Sequence, residues 1–471
     1  MKRYSLRRSL KDELPLQSLS ISKGRIPGWL EGTLIRNGPS WFTADDKQVL
    51  HWFDGLAMLH AFSFEKGEVL YTNRFLRSEA YQKVFKEGSI DYLGFATDPC
   101  RSIFKRLFTA FFPEKASLHN ANINIAKFCN QYVALTEIPL PVQFDPKTLE
   151  TLNVFDYKDR LLKSNSWNSA HPHVDVNRKE IINYSVKFGI KSEYLIYRMH
   201  EDSSSREIIA RIPVSRPSYM HSFAVTENYV ILSEFPFVVN PLALLLSGKG
   251  FIQNYRWEPE RGTCFRVVKR DTGELICSSK GISCFAFHHV NAFEKDHYLY
   301  LDLITYQNSD VIMALAPYGE GVSENDLPKS QLIRFEIDLE SCSIRQSIIS
   351  SLPFELPRIH PSFNGRPYRF AYAADLREVL ISGDPLCLYK IDVQTGKTLS
   401  WGEHGCYPGE PIFVPNPQGT SEDEGLILSI VINESLGHSF LLILDATSWE
   451  VMARVEIPHQ IPMGLHGQFY P

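Results

Sequence analysis

Several signatures are missing from this chain, and each absence removes a class of function. None of the eight cysteines (100, 129, 264, 277, 284, 342, 387 and 406) forms a Cys-x-x-Cys pair. That excludes a zinc ribbon and a vicinal redox pair. There is no Gly-x-Gly-x-x-Gly fingerprint, no Walker loop, no His-Glu-x-x-His and no Gly-x-Ser-x-Gly elbow. Dinucleotide binding, nucleotide hydrolysis, zincin proteolysis and serine hydrolysis thereby lose their usual supports. No run reaches the roughly 18 uncharged apolar residues of a membrane-spanning helix. The formal charge of −5 is spread along the chain without a basic stripe, so nucleic acid is not expected as a partner. The cysteines are scattered and no apolar stretch follows the basic residues 1–8. Free thiols in a reducing compartment are therefore expected.

What is present is apolar and strand-forming. The 471 residues are 44% hydrophobic and 12% aromatic, enough for one large domain or several ordinary ones. Residues 1–28 read as a flexible basic lead-in, and 29–471 as one domain without an internal linker. Gly32–Pro39 reads as a strand ended by an Asn-Gly-Pro turn. Residues 59–64 and 69–73 alternate around a glycine-containing turn, which predicts a hairpin. The theme recurs at Asp145, Asp271, Asp338, Asp392 and Asp445, where Asp follows an apolar run and can cap its own turn. The last three are spaced by about 54 residues, near the size of a four-stranded propeller blade, which gives about seven blades.

Two stretches break the pattern. In residues 99–112, Ile103, Phe104, Leu107, Phe108 and Phe111 share one helical face flanked by Arg101, Lys105 and Arg106. A short helix lying on a membrane surface has that pattern. Residues 235–250 form a second apolar stretch, too short to span a bilayer.

Four histidines stand among apolar or small residues beside strand signals: Ala170-His171-Pro172, Met220-His221-Ser222, Phe287-His288-His289-Val290-Asn291 and Leu465-His466-Gly467. In a propeller, the innermost strand of each blade runs along the axis, so residues far apart in sequence can meet there. Neutral imidazoles suit Fe(II), Cu(II), Zn(II) or Ni(II). Three acids in apolar settings, Glu137, Glu355 and Glu410, can accept the outward ring N–H of such ligands and offset the metal charge.

These motifs resemble the four histidine motifs of the carotenoid cleavage oxygenases. Gly32–Pro39, Phe53-Asp54-Gly55 and Glu410–Pro415 are similar to further family motifs. The likeness runs from about Gly28 to the C-terminus and is nearest to the animal-type branch of β-carotene oxygenases and the retinoid isomerohydrolase. It implies an all-β, seven-bladed propeller with a helical and loop-built cap over the iron face. It implies one Fe(2+) per chain, held by His171, His221, His288 and His466, with O2 as co-substrate. By the family pattern Glu137, Glu355 and Glu410 serve His221, His288 and His466, and His171 has no such partner. Thr136 matches a residue that narrows the open side of the iron. Residues 98–104 resemble the branch's membrane-docking loop, with Cys100 in place of an acylated cysteine.

The implied activity is cleavage of a conjugated double bond of a carotenoid or apocarotenoid, β-carotene to retinal included, to two carbonyl products. The alternatives are isomerohydrolysis of a retinyl ester, cleavage of a stilbene, or a propeller that only binds an apolar ligand. The expected partners are an apolar polyene and a membrane surface, with no obligate protein partner. The expected location is cytoplasmic and peripherally membrane-associated.

Overall fold

The computed structural model describes residues 8–44, 47–90, 95–96, 119–159, 161, 166–247, 249–315, 328–376 and 386–471. The stretch holding Cys100, Ile103, Phe104, Leu107, Phe108 and Phe111 lies outside them. Among the described residues, seven antiparallel sheets of four to six strands form a seven-bladed propeller.

The first blade holds Gly32–Trp41, Leu56–Glu65 and Glu68–Phe75, with Leu14–Ser18 on its outer edge and Gly467–Tyr470 on its inner edge. The N- and C-terminal parts of the chain therefore meet in one sheet and close the ring. The second blade begins at Asn124–Phe128, and the third at Ser166–Asn168 and His173–Asp175, which share one neighbour. The fourth begins at Ala224–Val225, the fifth at His289–Lys295 and the sixth at Phe354–Ile359. The seventh begins at Cys406–Pro408 and Ile412–Pro415 and ends with Ile21–Gly24 on its outer edge. Blades pack face to face through apolar side chains. Phe265 of the fourth lies 4.8 Å from Phe335 of the fifth between ring centres, both fully buried. Burial of one such ring contributes about 1.5–3 kcal/mol.

The aspartate hairpins join the third and fourth strands of their blades, counted from the axis. Asp145, Asp338, Asp392 and Asp445 each accept backbone N–H groups two and three residues on. Asp271 differs, because Arg178 of the preceding blade takes its carboxylate at 2.7 Å.

Three expectations are corrected. The lead-in is not a loose arm, since Leu14–Ser18 pairs with Glu68–Phe75 and Ile21–Gly24 with Val451–Glu456. Gly24 is needed there: its φ is +74°, and a Cβ would meet the Met452 carbonyl oxygen at 1.8 Å. The strand at Gly32 does not stop at Asn37-Gly38-Pro39 but runs to Trp41. Asn37 bonds Ala121 O and Asn124 O through its side chain, and the slip in register comes only between Pro39 and Trp41. Finally, Cys277 and Cys342 are joined as a disulfide with Cα atoms 5.6 Å apart. They lie on the touching outer edges of the fourth and fifth blades, a proximity invisible in a separation of 65 residues.

The stretch at 235–250 divides in two. Phe237–Val239 is a buried strand paired with Tyr255–Trp257, whereas Pro241–Leu246 is a short helix with Leu242 and Leu246 exposed at 56% and 54%. No described helix is long and apolar enough to cross a membrane.

Candidate metal centre

His171, His221, His288 and His466 converge at one end of the propeller axis, their nearest ring nitrogens all within 4.8 Å of one another. Each comes from a place where an inner strand starts or breaks. His171 sits between the two short strands of the third blade. His221 and His288 precede the inner strands of the fourth and fifth, and His466 precedes the closing strand of the first. Close backbone approach helps to place His466: a Cβ on Gly38 would lie 2.7 Å from the Cα of Gly464. The remaining three blades supply the carboxylates. Glu137 follows Gln131–Leu135 of the second, Glu355 lies in the inner strand of the sixth, and Glu410 joins the two inner strands of the seventh. Seven blades thus contribute seven residues, four histidines and three glutamates.

The pairing is one to one. Glu137 Oε1 lies 2.6 Å from His221 Nδ1, Glu355 Oε2 2.6 Å from His288 Nδ1, and Glu410 Oε1 2.7 Å from His466 Nδ1. A carboxylate at Nδ1 takes the ring hydrogen there and leaves the Nε2 lone pair free toward the centre. Among the described residues no carboxylate is bonded to His171. The Nε2 atoms of His171 and His221 are 2.9 Å apart, and those of His288 and His466 3.3 Å apart. Two imidazole nitrogens each about 2.1 Å from one ion and at right angles to each other lie about 3.0 Å apart.

The carboxylates are themselves held. Tyr219 donates to Glu137 at 2.9 Å and Tyr306 to Glu355 at 2.8 Å. Burial, reinforced by those carboxylates, raises both tyrosine pKa values well above the usual range, so both hydroxyls stay donors. Glu410 is held by charge instead. Arg358 Nε donates to it at 2.8 Å, and Arg36 donates from its other side. The same guanidiniums donate to Gly467 O at 2.7 Å and Leu465 O at 2.9 Å, the carbonyls flanking His466. Burial works to raise the Glu410 carboxyl, but Arg358, Arg36 and His466 overcome it and hold it well below the carboxylate range. Burial likewise opposes the charge on Glu355, and His288 outweighs it. A slip in register between Glu355 and Arg358 aims the first at His288 and lets the second reach the next blade.

Burial lowers His466 to about 3. Burial and the neighbouring rings take His171 well below its usual value. Both are therefore neutral at ordinary pH, the form that binds metal. The neighbouring histidines have other partners. His173 bonds Phe223 O at 3.0 Å and Asn364 Oδ1 at 3.1 Å, and His289 lies between the hydroxyls of Ser222 and Ser233, each at 2.8 Å. Thr136 immediately precedes Glu137 and is half-buried.

His221, His288 and His466, with Glu355 and Tyr306 beside them, line one side of a cleft that holds about 530 Å³ of space open to solvent; the rest of its lining is apolar. Trp52, Phe53 and Phe287 supply rings, and Val311, Leu315, Leu356 and Leu376 supply aliphatic groups. Several of these come from segments inserted between strands, and they cover the face on which the histidines meet.

The sequence gives a match to the family model described as retinal pigment epithelial membrane protein (RPE65) over residues 7–471. The chain belongs to this family. It is 31% identical to the β,β-carotene 15,15′-dioxygenase of Gallus gallus, over 98% of this chain and 97% of the relative. It is also 31% identical to the carotenoid isomerooxygenase of Galleria mellonella, over 98% and 96% respectively. Among solved structures, the cobalt-substituted apocarotenoid oxygenase of Synechocystis matches with a TM-score of 0.86 at 28% identity, over all of this chain and 98% of that one.

Sequence reasoning missed Arg36, Arg358, Tyr219 and Tyr306 as supports of the carboxylates. Arg36 stands inside a quoted motif and Tyr219 immediately before another, yet nothing in a lone sequence says which way either points.

Proposed function

We propose that this protein is an iron(II)-dependent dioxygenase that cleaves a conjugated double bond of a carotenoid or apocarotenoid, with both atoms of O2 ending in two carbonyl products. The observation that carries the reading is the convergence of four imidazoles, three of them with a carboxylate on the outward nitrogen, beside an apolar and aromatic cleft. The donor set fits a divalent iron: four nitrogens, separations suited to one ion, and three outward N–H groups already bound to carboxylates. Bound iron would supply the electrons that activate O2 toward the polyene. His171, His221, His288 and His466 would hold it, with the three glutamates fixing ring orientation and offsetting charge. Thr136 would narrow access on the open side.

The cleft walls would exclude water and set which double bond lies at the histidines. Phe53 links inward to Phe287 at 6.1 Å and outward to Phe95 at 5.4 Å between ring centres. Phe95 stands just before residues 97–118, and its carbonyl accepts from Ile252 N at 3.2 Å. The two stretches read as membrane-facing are therefore neighbours at their roots, with Leu242 and Leu246 exposed nearby in sequence. This supports substrate entry from a membrane surface, with Cys100, Ile103, Phe104, Leu107, Phe108 and Phe111 as the docking residues.

The test is purified, iron-loaded protein given β-carotene in detergent micelles under labelled O2, with products read by mass spectrometry. Labelled retinal is expected for a central cut, and longer labelled apocarotenals for an eccentric one. Absence of labelled aldehyde from β-carotene and from an apocarotenoid, with iron present, would sink the proposal. Product alcohol from a retinyl ester without label would replace it with isomerohydrolase chemistry.

A further inference from the structure

Ligand rings are oriented by the glutamates, but the spacing between ligands depends on how one blade is held to the next. Across three successive seams a bond beside the centre has the same form. A small polar side chain of one blade donates to the carbonyl at, or just before, the histidine of the next. Asn124 Nδ2 donates to Ala170 O at 2.9 Å, Ser169 Oγ to His221 O at 2.8 Å, and Ser222 Oγ to Phe287 O at 2.7 Å. The two serines do more. Ser169 Oγ also accepts from His171 N at 3.1 Å, so one hydroxyl ties the backbone of His171 to that of His221. Ser222, next to His221, also accepts from His289 N at 3.0 Å and thereby grips the backbone on both sides of His288. His289 Nδ1 lies 2.8 Å from the same oxygen and Ser233 holds the far side of that ring, so the hydroxyl cannot turn away without breaking several bonds. Both serines are buried.

We infer that Ser169 and Ser222 are positioning residues that set the distances from His171 to His221 and from His221 to His288, and so tune the metal affinity of the site. Neither is one of the four converging histidines or lines the cleft. The physical ground is tolerance: a metal site works only when its ligands are held to within about half an ångström, whereas a seam between blades slides unless something pins it. The inference rests on the metal reading of the four histidines. The structure contains its own control. Ser279 Oγ donates to Cys342 O at 2.8 Å, the same bond between the same fourth and fifth blades as Ser222 makes, but on their outer edges.

The experiment uses full-length protein stripped of metal and titrated with cobalt(II) chloride. It reads visible absorption, the dissociation constant by competition with a chelator, and thermal unfolding of the metal-free form. Ser222→Ala and Ser169→Ala are expected to bind cobalt about tenfold or more weakly, the range seen when outer partners of metal ligands are removed, with shifted absorption bands. Ser279→Ala is expected to lose similar thermal stability while its cobalt affinity and spectrum stay those of the parent. If Ser222→Ala does not fold, Ser169→Ala is read alone by the same criterion. Parental affinity and spectrum in the serine variants, or equal weakening in Ser279→Ala, would overturn the inference and leave the metal site standing. A parent protein that takes up no cobalt would overturn both.

Discussion

At His221 and His288 the supporting carboxylate is steadied by a neutral tyrosine hydroxyl, whereas at His466 Glu410 lies between two arginines. The geometry at the histidine is nearly the same in all three, 2.6 to 2.7 Å. What differs is where the partners come from. Tyr219 is two residues from His221, and Tyr306 belongs to the blade that carries His288. Arg36 and Glu410 are 374 residues apart and meet where the ring closes. A tyrosine hydroxyl left unpaired in a misassembled seam costs about 1–3 kcal/mol. A buried guanidinium left without its carboxylate costs about 3–5 kcal/mol. The closing seam thus carries the stronger penalty against mispairing, and the same two arginines pin the carbonyls on either side of His466.

That contrast is most sharply broken at Glu410. Glu410→Gln leaves Arg36 and Arg358 without a counter-charge and is expected to destabilise the fold by about 3–5 kcal/mol, besides weakening metal binding. Denaturant unfolding of the metal-free protein measures it. A loss no larger than that in Glu137→Gln would remove the distinction between the seams.

At the tyrosine-backed glutamates the effect should fall on the metal and spare the fold. Glu355→Gln and Glu137→Gln keep shape and are expected to cost about 10- to 100-fold in metal affinity with a smaller change in unfolding free energy. Chelator competition, run beside the same unfolding assay, separates the two quantities.

The smallest effect concerns acid. Behind the closing seam His60 bonds Tyr71, which bonds His459, at 2.8 and 2.9 Å. Burial lowers His459 to about 4, and burial lowers His60 well below its usual value. The unfolded chain therefore takes up protons near 6.5 that the folded one refuses, so stability falls as pH drops from about 6.5 toward 4. His459→Gln should flatten that slope in a pH series of melting temperatures, whereas Tyr306→Phe should leave it unchanged.

The contrast also marks how far the sequence can be read. The seven centre residues stand out because histidine and glutamate are unusual inside apolar strand-like runs, and all five aspartate hairpins were legible from local turn chemistry. At Asp271 the turn was legible, but the partner of its carboxylate was not, because Arg178 belongs to another blade. Arg36 and Arg358 were not, because arginine in a strand ordinarily reads as a solvent-facing residue; only ring closure buries Arg36 against Glu410. Leu14–Ser18 and Ile21–Gly24 escaped for the same reason. Their partners lie at residues 68–75 and 451–456, and an edge strand with one covered side carries little pattern of its own.

In the metal-loaded protein one ion is expected to be held by four blades and braced by the other three. Crystals of iron-loaded protein measured at the iron absorption edge test this directly. The expected result is one anomalous peak bonded to Nε2 of His171, His221, His288 and His466, with Glu137, Glu355 and Glu410 still on Nδ1 of the last three. A peak at His173 or His289, a carboxylate in the coordination sphere, or no peak in protein carrying stoichiometric iron would contradict it.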